Sequence, residues 1–251
     1  MAELLIGDGM KKVLIGILLT SFVAVSYAKP MTKKKVAWLE TQQGVKEIGC
    51  DEYEDSSYSS TGRESFSIKK SAFKHDKLFE NSKLTCDLWD DYGKPYLHVI
   101  EKTKIDGVDV RFFHSDGSGT VGDRNYGKDD KSWGTGCKKD TMTDEVICYA
   151  RQNDMNIFRD KDGYVIRVGS NHYPSSAANL RINEDSPFSS GDDGIFNRES
   201  SEQIVSKLSP ENSVSTRYIE WPHKRNIDNT VAMDNYNVAK KVLDTIYENH
   251  N

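Results

Sequence analysis

Two histidines and an aspartate-rich loop are the residues of this chain whose types could support hydrolysis. His98 and His114 fall on neighbouring predicted strands, and the loop Asp116–Asp123 follows them. An imidazole beside a carboxylate can act as a general base toward water. The chain has no H-x-H, H-E-x-x-H or G-x-S-x-G pattern, so neither a zinc hydrolase nor a serine nucleophile elbow is indicated. A hydrolase with a dispersed His/Asp site is therefore the alternative hypothesis, and no catalytic residue is assigned.

Aspartate- and glycine-rich turns are the candidates for metal binding. The run Asp160-Lys161-Asp162-Gly163 begins like a calcium loop, but Tyr164 and Asn171 stand at positions five and twelve, so the EF-hand pattern fails. Turn chemistry explains aspartate and glycine at such positions without a metal. No P-loop and no G-x-G-x-x-G is present, which argues against a nucleotide cofactor. We predict neither a metal site nor a cofactor.

The chain has four cysteines, which are Cys50, Cys86, Cys137 and Cys148. They contain no C-x-x-C pair, which argues against a zinc ribbon and a thioredoxin-type site. Four cysteines allow three pairings. We predict Cys137–Cys148 because the intervening segment resembles a hairpin, and Cys50–Cys86 then follows by elimination. A disulfide that closes a loop of this size is worth about 3 kcal/mol in the chain-entropy model.

An N-terminal segment favours disulfides over free thiols. From Met10 the chain reads as a signal peptide with two lysines, the apolar run Val13–Val25, and Ser26-Tyr27-Ala28 as the cleavage signal. The apolar run is shorter than the ~20 residues that span a membrane. We therefore predict a signal peptide over residues 1–28, of which 1–9 are a mis-assigned start or an artefact, and a periplasmic or secreted bacterial protein without a membrane span after cleavage.

Aromatic residues beside polar loops indicate a recognition surface. Tyrosine and tryptophan are favoured at such surfaces because they combine a large contact area with a polar group. The segment from Ser115 to Gly136 is rich in Gly, Asp, Ser and Lys and is predicted to be a long exposed loop. The predicted binding residues in and near it are Tyr92, Tyr96, His114, Asp116, Tyr126 and Trp133.

Composition supports a folded, surface-exposed protein. The chain has a mean hydropathy of −0.67 but is 10% aromatic, a combination that suits a β-rich protein better than a disordered one. The formal net charge is −5, with acids and bases interspersed along the sequence. No basic stripe is present, and the short run Lys33-Lys34-Lys35 is interpreted as a solvated face, so we predict no nucleic-acid partner.

The elements that must hold these residues are mostly short strands. Strands are predicted at Ser65–Ile68, Lys83–Trp89, Tyr96–Lys102, Val108–His114, Cys137–Arg151 as a hairpin, Met155–Phe158, Tyr164–Gly169, Asn179–Asn183 and Val214–Trp221. A short helix with Ser200 as its N-cap is predicted over Ser200–Leu208, and a C-terminal amphipathic helix starts near Asn235. This order predicts a mainly β fold, an antiparallel β-sandwich or barrel-like domain, with a β-rich region over 29–130 and a sandwich-like region over 131–251.

The second region resembles a known family. The Cys137–Cys148 hairpin precedes Ile166-Arg167-Val168-Gly169, then Leu180-Arg181-Ile182-Asn183, a short helix, and Val214-Ser215-Thr216-Arg217-Tyr218. This order, over roughly residues 130–250, resembles exported bacterial proteins of the invasion-associated locus B type. The resemblance implies export, a small β-sandwich with a helical finish and a role at the envelope or host surface, and it carries over no catalytic residue. We therefore predict a non-enzymatic protein that binds an envelope, host or secreted protein partner, with the oligomeric state left open.

Overall fold

A computed structural model describes residues 52–53, 77–91, 94–125 and 130–251 of the chain, with side chains described over 77–85, 99–125 and 130–251. The predicted signal peptide and the predicted strand Ser65–Ile68 lie outside the described residues, as do Cys50, Tyr92 and Tyr126. Cys86, Tyr96 and His98 are described for the backbone only.

The larger of the two described sheets has nine strands that follow one another in chain order. Every pair is antiparallel except the first, which is parallel. Since consecutive strands are hydrogen-bonded neighbours, short turns connect most of them. The strands are β1 (Glu52–Tyr53), β2 (Lys83–Asp91), β3 (Lys94–Ile105), β4 (Val108–Phe113), β5 (Gly119–Val121), β6 (Trp133–Lys139), β7 (Val146–Gln152), β8 (Met155–Asp160) and β9 (Gly163–Val168).

A second, four-stranded antiparallel sheet and two helices complete the described fold. The sheet has the order β11-β10-β12-β13 and comprises β10 (Ala177–Ile182), β11 (Phe188–Asp192), β12 (Val214–Glu220) and β13 (Arg225–Val231). Helix α1 (Arg198–Lys207) lies against β9. Helix α2 (Tyr236–His250) packs mainly on β6 and β7. Both sheets and both helices contribute to one hydrophobic core.

Alternation along the strands gives the nine-stranded sheet two distinct faces. Successive side chains of a strand point to opposite faces, and in β7 every second residue from Val146 to Gln152 is buried. We call the buried side, which α2 covers, the inner face, and the other side the outer face. Trp133 on β6 and Phe112 on β4 are fully buried on the inner face, where the Trp133 ring lies 5.7 Å from the ring of Tyr236 in α2.

The prediction of a mainly β fold with a short helix and a C-terminal helix is confirmed, and the described sheets do not close into a barrel. The predicted disulfide Cys137–Cys148 is also confirmed, and it joins directly opposed residues of β6 and β7. The hydrogen-bonded sheet continues across residue 130, the boundary we drew between the two regions, because β5 pairs with β6.

Two local predictions need correction. The segment from Ser115 to Gly136 is not loop throughout, because it contains β5 and the start of β6, and Val121 and Trp133 anchor it in the core. Helix α1 begins before the predicted cap: the Asn197 side chain accepts a hydrogen bond of 2.8 Å from the Ser200 N–H, so Asn197 is the N-cap. Neither of the described helices is long and apolar enough to cross a membrane.

Candidate functional site

A row of basic residues crosses the outer face of the nine-stranded sheet. Strand register places Lys102 opposite Arg111, Arg111 opposite Thr120, and so on across the sheet. The register continues through Gly134, Arg151 and Asn156 to Arg167 on β9. We call the positions Lys102, Arg111, Arg151 and Arg167 the basic row. Because each strand contributes one residue, the row runs perpendicular to the strands.

Gly134 on β6 lies in the floor of a groove in the middle of this face, and Gly136 lies beneath the ring of Tyr149 beside it. A methyl group built on Gly136 would lie 2.7 Å from the hydroxyl oxygen of Tyr149 and 2.8 Å from its Cζ, so the Tyr149 ring lies directly against the backbone. A methyl group on Gly134 would lie 3.6 Å from both Cγ and Nε of Arg151. The missing side chains at these two positions therefore let Tyr149 and Arg151 extend along the sheet surface.

The groove over this floor is polar and rich in arginine. It has a volume of about 630 Å³, and Arg111, Arg124 and Arg151 line it together with hydroxyls of Ser118, Thr120 and Ser132. We call it the arginine groove. Arg111 also lies with its guanidinium carbon 5.7 Å from the centre of the Phe113 ring, a cation–π arrangement.

The carboxylate of Asp130 also lines the arginine groove. Partial burial opposes its ionisation, but hydrogen bonds from Ser132 and the Asn125 N–H, together with the charge of Arg124, hold the pKa of Asp130 below its usual range. The Ser132 N–H donates to Asp130 over 2.9 Å. Asp130 is therefore ionised at neutral pH, and its oxygens can only accept hydrogen bonds.

A smaller cleft on the second sheet shows what distinguishes the arginine groove. This cleft, of about 370 Å³, is lined by Arg217 and Asp228, which form a two-point ion pair with Nη2 and Oδ2 3.1 Å apart. The guanidinium of Arg217 is thus neutralised within the chain. Arg151 is exposed, and no acidic side chain in the described part of the chain pairs with it. Arg151 is therefore placed to receive an anionic ligand.

A buried, hydrogen-bonded pair of side chains lies on the other side of the sheet, where β3 and β4 meet. The Nε2 atom of His114 lies 2.6 Å from a Glu101 carboxylate oxygen, and Glu101 is fully buried. The same carboxylate accepts hydrogen bonds from the N–H groups of Leu78 and Phe79, at 3.0 and 2.8 Å. Burial raises the cost of ionising Glu101, but these hydrogen bonds, that of His114 foremost, hold its pKa below the ordinary value.

The Glu101–His114 pair is shielded from solvent, and the backbone of His114 contacts the C-terminal helix. The His114 ring is 5.5 Å from the ring of Phe112, and its side chain is only 4% exposed. The ring nitrogens of His250, at the end of α2, lie 3.1 Å from the His114 carbonyl oxygen and 2.7 Å from that of Ile246. Glu101 and His114 thus join β3, β4 and the end of α2.

The structure separates the residues that the sequence singled out for binding. Trp133 and His114 are buried on the inner face, so neither side chain belongs to the exposed surface. Asp116 is exposed in the turn before β5, where its carboxylate accepts hydrogen bonds from the Ser118 N–H and hydroxyl. Tyr92 and Tyr126 lie outside the described residues, and the Tyr96 side chain is likewise not described.

The arginine groove was not predicted from the sequence. Arg111 on β4 and Arg151 on β7 are forty positions apart, and each alternates with buried neighbours, whereas Arg124 lies between β5 and β6. The available signal was local: Arg111 and Arg151 each stand at the outward position of a strand with alternating burial. Strand register, which brings them into one row, is set by long-range pairing and is not visible in any one segment.

Comparisons with other proteins do not add a candidate function. Neither family models nor curated proteins nor solved structures match this chain. The resemblance to the invasion-associated locus B type therefore stays a prediction. Among the described residues, no three His, Cys, Asp or Glu side chains are grouped so that they could hold a metal ion.

Proposed function

We propose that this protein is exported and acts by binding another protein of the envelope, host surface or surroundings through the arginine groove. The proposal takes residues 1–28 as the signal peptide that directs the chain to the periplasm or the exterior. The Cys137–Cys148 disulfide is in keeping with an oxidising compartment. The observation that carries the proposal is the exposed guanidinium of Arg151, held along the floor of a preformed groove without an acidic partner among the described residues.

A rigid sheet face suits binding because little must be ordered when a partner arrives. The floor of the groove belongs to β6 and β7, whose backbone groups are paired in the ladder and whose strands are joined by the disulfide. Preorganised contact groups reduce the entropic cost of association. The two arginines at the outward positions, Arg111 and Arg151, supply the charge that would attract and orient an acidic surface.

The alternative, a hydrolase with His114 at its centre, gains no support from the geometry. Nε2 of His114 already contacts Glu101, and its ring lies on the inner face against Phe112. Asp116 is committed to the turn that it forms with Ser118. Since the His114 side chain is only 4% exposed, a substrate has no open path to this imidazole.

The test places a photo-crosslinking amino acid at Thr120, which lies in the register row between Arg111 and Gly134. The exported chain is then exposed to envelope fractions and culture fluid. We expect one dominant cross-linked protein from Thr120 and none from Lys241, which is exposed on α2 at the opposite side of the sheet.

Point substitutions give a sharper control than deletion of the segment from Ser115 to Gly136, because that deletion would remove β5 and the buried Trp133. Arg151→Gln is expected to abolish the cross-link, whereas Lys241→Gln, which removes the same charge, leaves it intact. A cross-link that survives Arg151→Gln, or that forms equally from position 241, contradicts the proposal. The intact mass of the exported chain tests cleavage after Ala28 separately.

A further inference from the structure

The basic row extends well beyond the arginine groove. Arg111 and Arg151 are three strands apart, which is about 14 Å at the usual spacing between strands. Arg167 lies two strands further, about 10 Å from Arg151. Lys102 extends the row by one strand on the other side. A ligand that contacts the whole row is therefore long and carries repeated negative charges.

An aromatic row runs beside the basic row. Register aligns Gly136, Tyr149, Phe158 and Val165 on the outer face, two residues along the strands from Gly134, Arg151, Asn156 and Arg167. Tyr149 and Phe158 are both half-buried, so part of each ring faces outward. A ligand along the basic row thus has ring faces beside it, which suits a polymer built from rings that also carry charges.

We propose that the basic row and the arginine groove bind a linear carboxylated glycan, a chain of uronic acids, attached to the protein partner. The inference rests on the proposed function and names what the groove recognises. The carboxylates would pair with Arg111, Arg151 and Arg167, since guanidinium groups bind carboxylates in a two-point geometry. Nε of Arg167 donates to the Asp193 carbonyl oxygen over 3.2 Å, so this residue would use its two terminal nitrogens. The sugar rings would lie over Tyr149 and Phe158.

The polar lining of the groove favours a sugar over other polyanions. Sugar hydroxyls donate as well as accept, and the groove offers acceptors and donors in Asp130, Ser118, Thr120 and Ser132. The ionised Asp130 can accept a hydrogen bond from a sugar hydroxyl, whereas a phosphodiester backbone offers it no donor. The row is also interrupted by Thr120 and Gly134 at its centre, where a nucleic acid strand would place charges without partners.

The position of the groove argues against an acidic peptide as the occupant. An extended peptide gains most of its affinity by adding its backbone to a free sheet edge. The groove instead lies over β4 to β7, whose backbone groups are already hydrogen-bonded on both sides. A peptide there would leave its own backbone groups without sheet partners.

The experiment measures binding of the full exported chain to four defined probes by calorimetry at low salt. The probes are a hexamer of galacturonic acid, its methyl ester, hexaglutamate and a thymidine oligonucleotide of equal charge. We expect the acid hexamer to bind at least about tenfold more tightly than each of the others. Equal binding of hexaglutamate or the oligonucleotide, or no binding of the acid hexamer, would overturn the inference.

Variants locate the binding on the outer face. Arg151→Gln and Tyr149→Ala are each expected to weaken the acid hexamer about tenfold or more, with Lys241→Gln unchanged. If the Thr120 cross-link depends on Arg151 but no uronate binds, the glycan inference fails and the proposed function stands. If the uronate binds and the cross-link to the protein partner disappears after enzymatic removal of the partner's uronic acids, the glycan is carried by that protein. If the uronate binds but the cross-link persists after that enzymatic treatment, the source of the uronic acids is a free polysaccharide.

Discussion

The inner and outer faces of the nine-stranded sheet are built from alternate residues of the same strands, yet they carry opposite chemistry. On β6, Trp133 and Thr135 are buried on the inner face, and Gly134 between them opens onto the outer face. On β4, Phe112 is fully buried, and its neighbour Arg111 is exposed. A step of one residue thus separates the core from the candidate binding surface.

This contrast shows where the constraints on the sequence lie. The inner face must fit α2 and bury apolar area, so its residue types follow from packing. Packing against α2 does not constrain the outer face, so the arginines and glycines there need another explanation. We infer that residues of the outer face serve binding and that residues of the inner face stabilise the fold. Substitutions on the inner face should therefore destabilise the protein more than substitutions on the outer face.

Trp133→Ala should cause the largest loss of stability. Trp133 is fully buried and contacts Tyr236 of α2, so truncation leaves a cavity at the helix–sheet contact and costs about 3–5 kcal/mol. Urea denaturation measures the change. Lys138→Ala on the same strand, at an exposed position, serves as the matched control and should stay within about 0.5 kcal/mol. Similar losses for the two variants would remove the distinction between the faces.

The double substitution Cys137→Ala/Cys148→Ala should rank next. The disulfide joins opposed residues of β6 and β7 at a sequence separation of 11, and its removal is expected to cost about 3 kcal/mol through the freedom gained by the unfolded chain. Thermal unfolding of the double variant beside the parent protein provides the measurement. An unchanged melting temperature would show that the bond adds nothing to the fold.

Glu101→Gln should destabilise the protein in a pH-dependent way, by about 2 kcal/mol at neutral pH, because the buried carboxylate accepts charge-assisted hydrogen bonds from His114 and two N–H groups. The pKa of Glu101 is lowered by folding. Its contribution is therefore complete above the ordinary carboxyl pKa and is lost as the pH falls through the lowered value.

The measurement is the unfolding free energy of the parent protein and of Glu101→Gln at several pH values between neutral and strongly acidic. The gap between the two proteins should narrow as the pH falls. A gap that stays constant with pH would contradict the assignment of a buried, ionised Glu101.

Arg151→Gln should have the smallest effect on stability, within about 0.5 kcal/mol, because the side chain is exposed and has no acidic partner among the described residues. Its expected consequence is loss of binding. Chemical denaturation measures the stability of this variant, and partner capture with the same preparation measures its binding. A loss of stability comparable with that of Glu101→Gln would assign Arg151 a structural role.

How much of this could be read from the sequence differs between the two faces. Strands with alternating apolar residues, such as β7, and the apolar positions of α2 were predicted because the inner face imposes a regular pattern. Strands β11 and β13 were missed because few of their side chains are buried, and β5 was missed because it has only three residues.

The candidate site was the harder part, since aromatic character alone does not tell a surface residue from a core residue. Trp133 was assigned to a recognition surface, but the one-residue register of β6 turns it inward and turns Gly134 outward. Arg111 and Arg151 become neighbours across the groove only through the pairing of four strands. Nothing in the local sequence of either arginine records that pairing.

The most direct test of the division between the faces is partner capture by Arg151→Gln, measured with the cross-linker at Thr120 on protein whose folded fraction has been checked. We predict that the cross-link disappears while the unfolding free energy stays at that of the parent protein. Retention of the cross-link in a fully folded Arg151→Gln protein would contradict the account and remove the outer face as the binding surface.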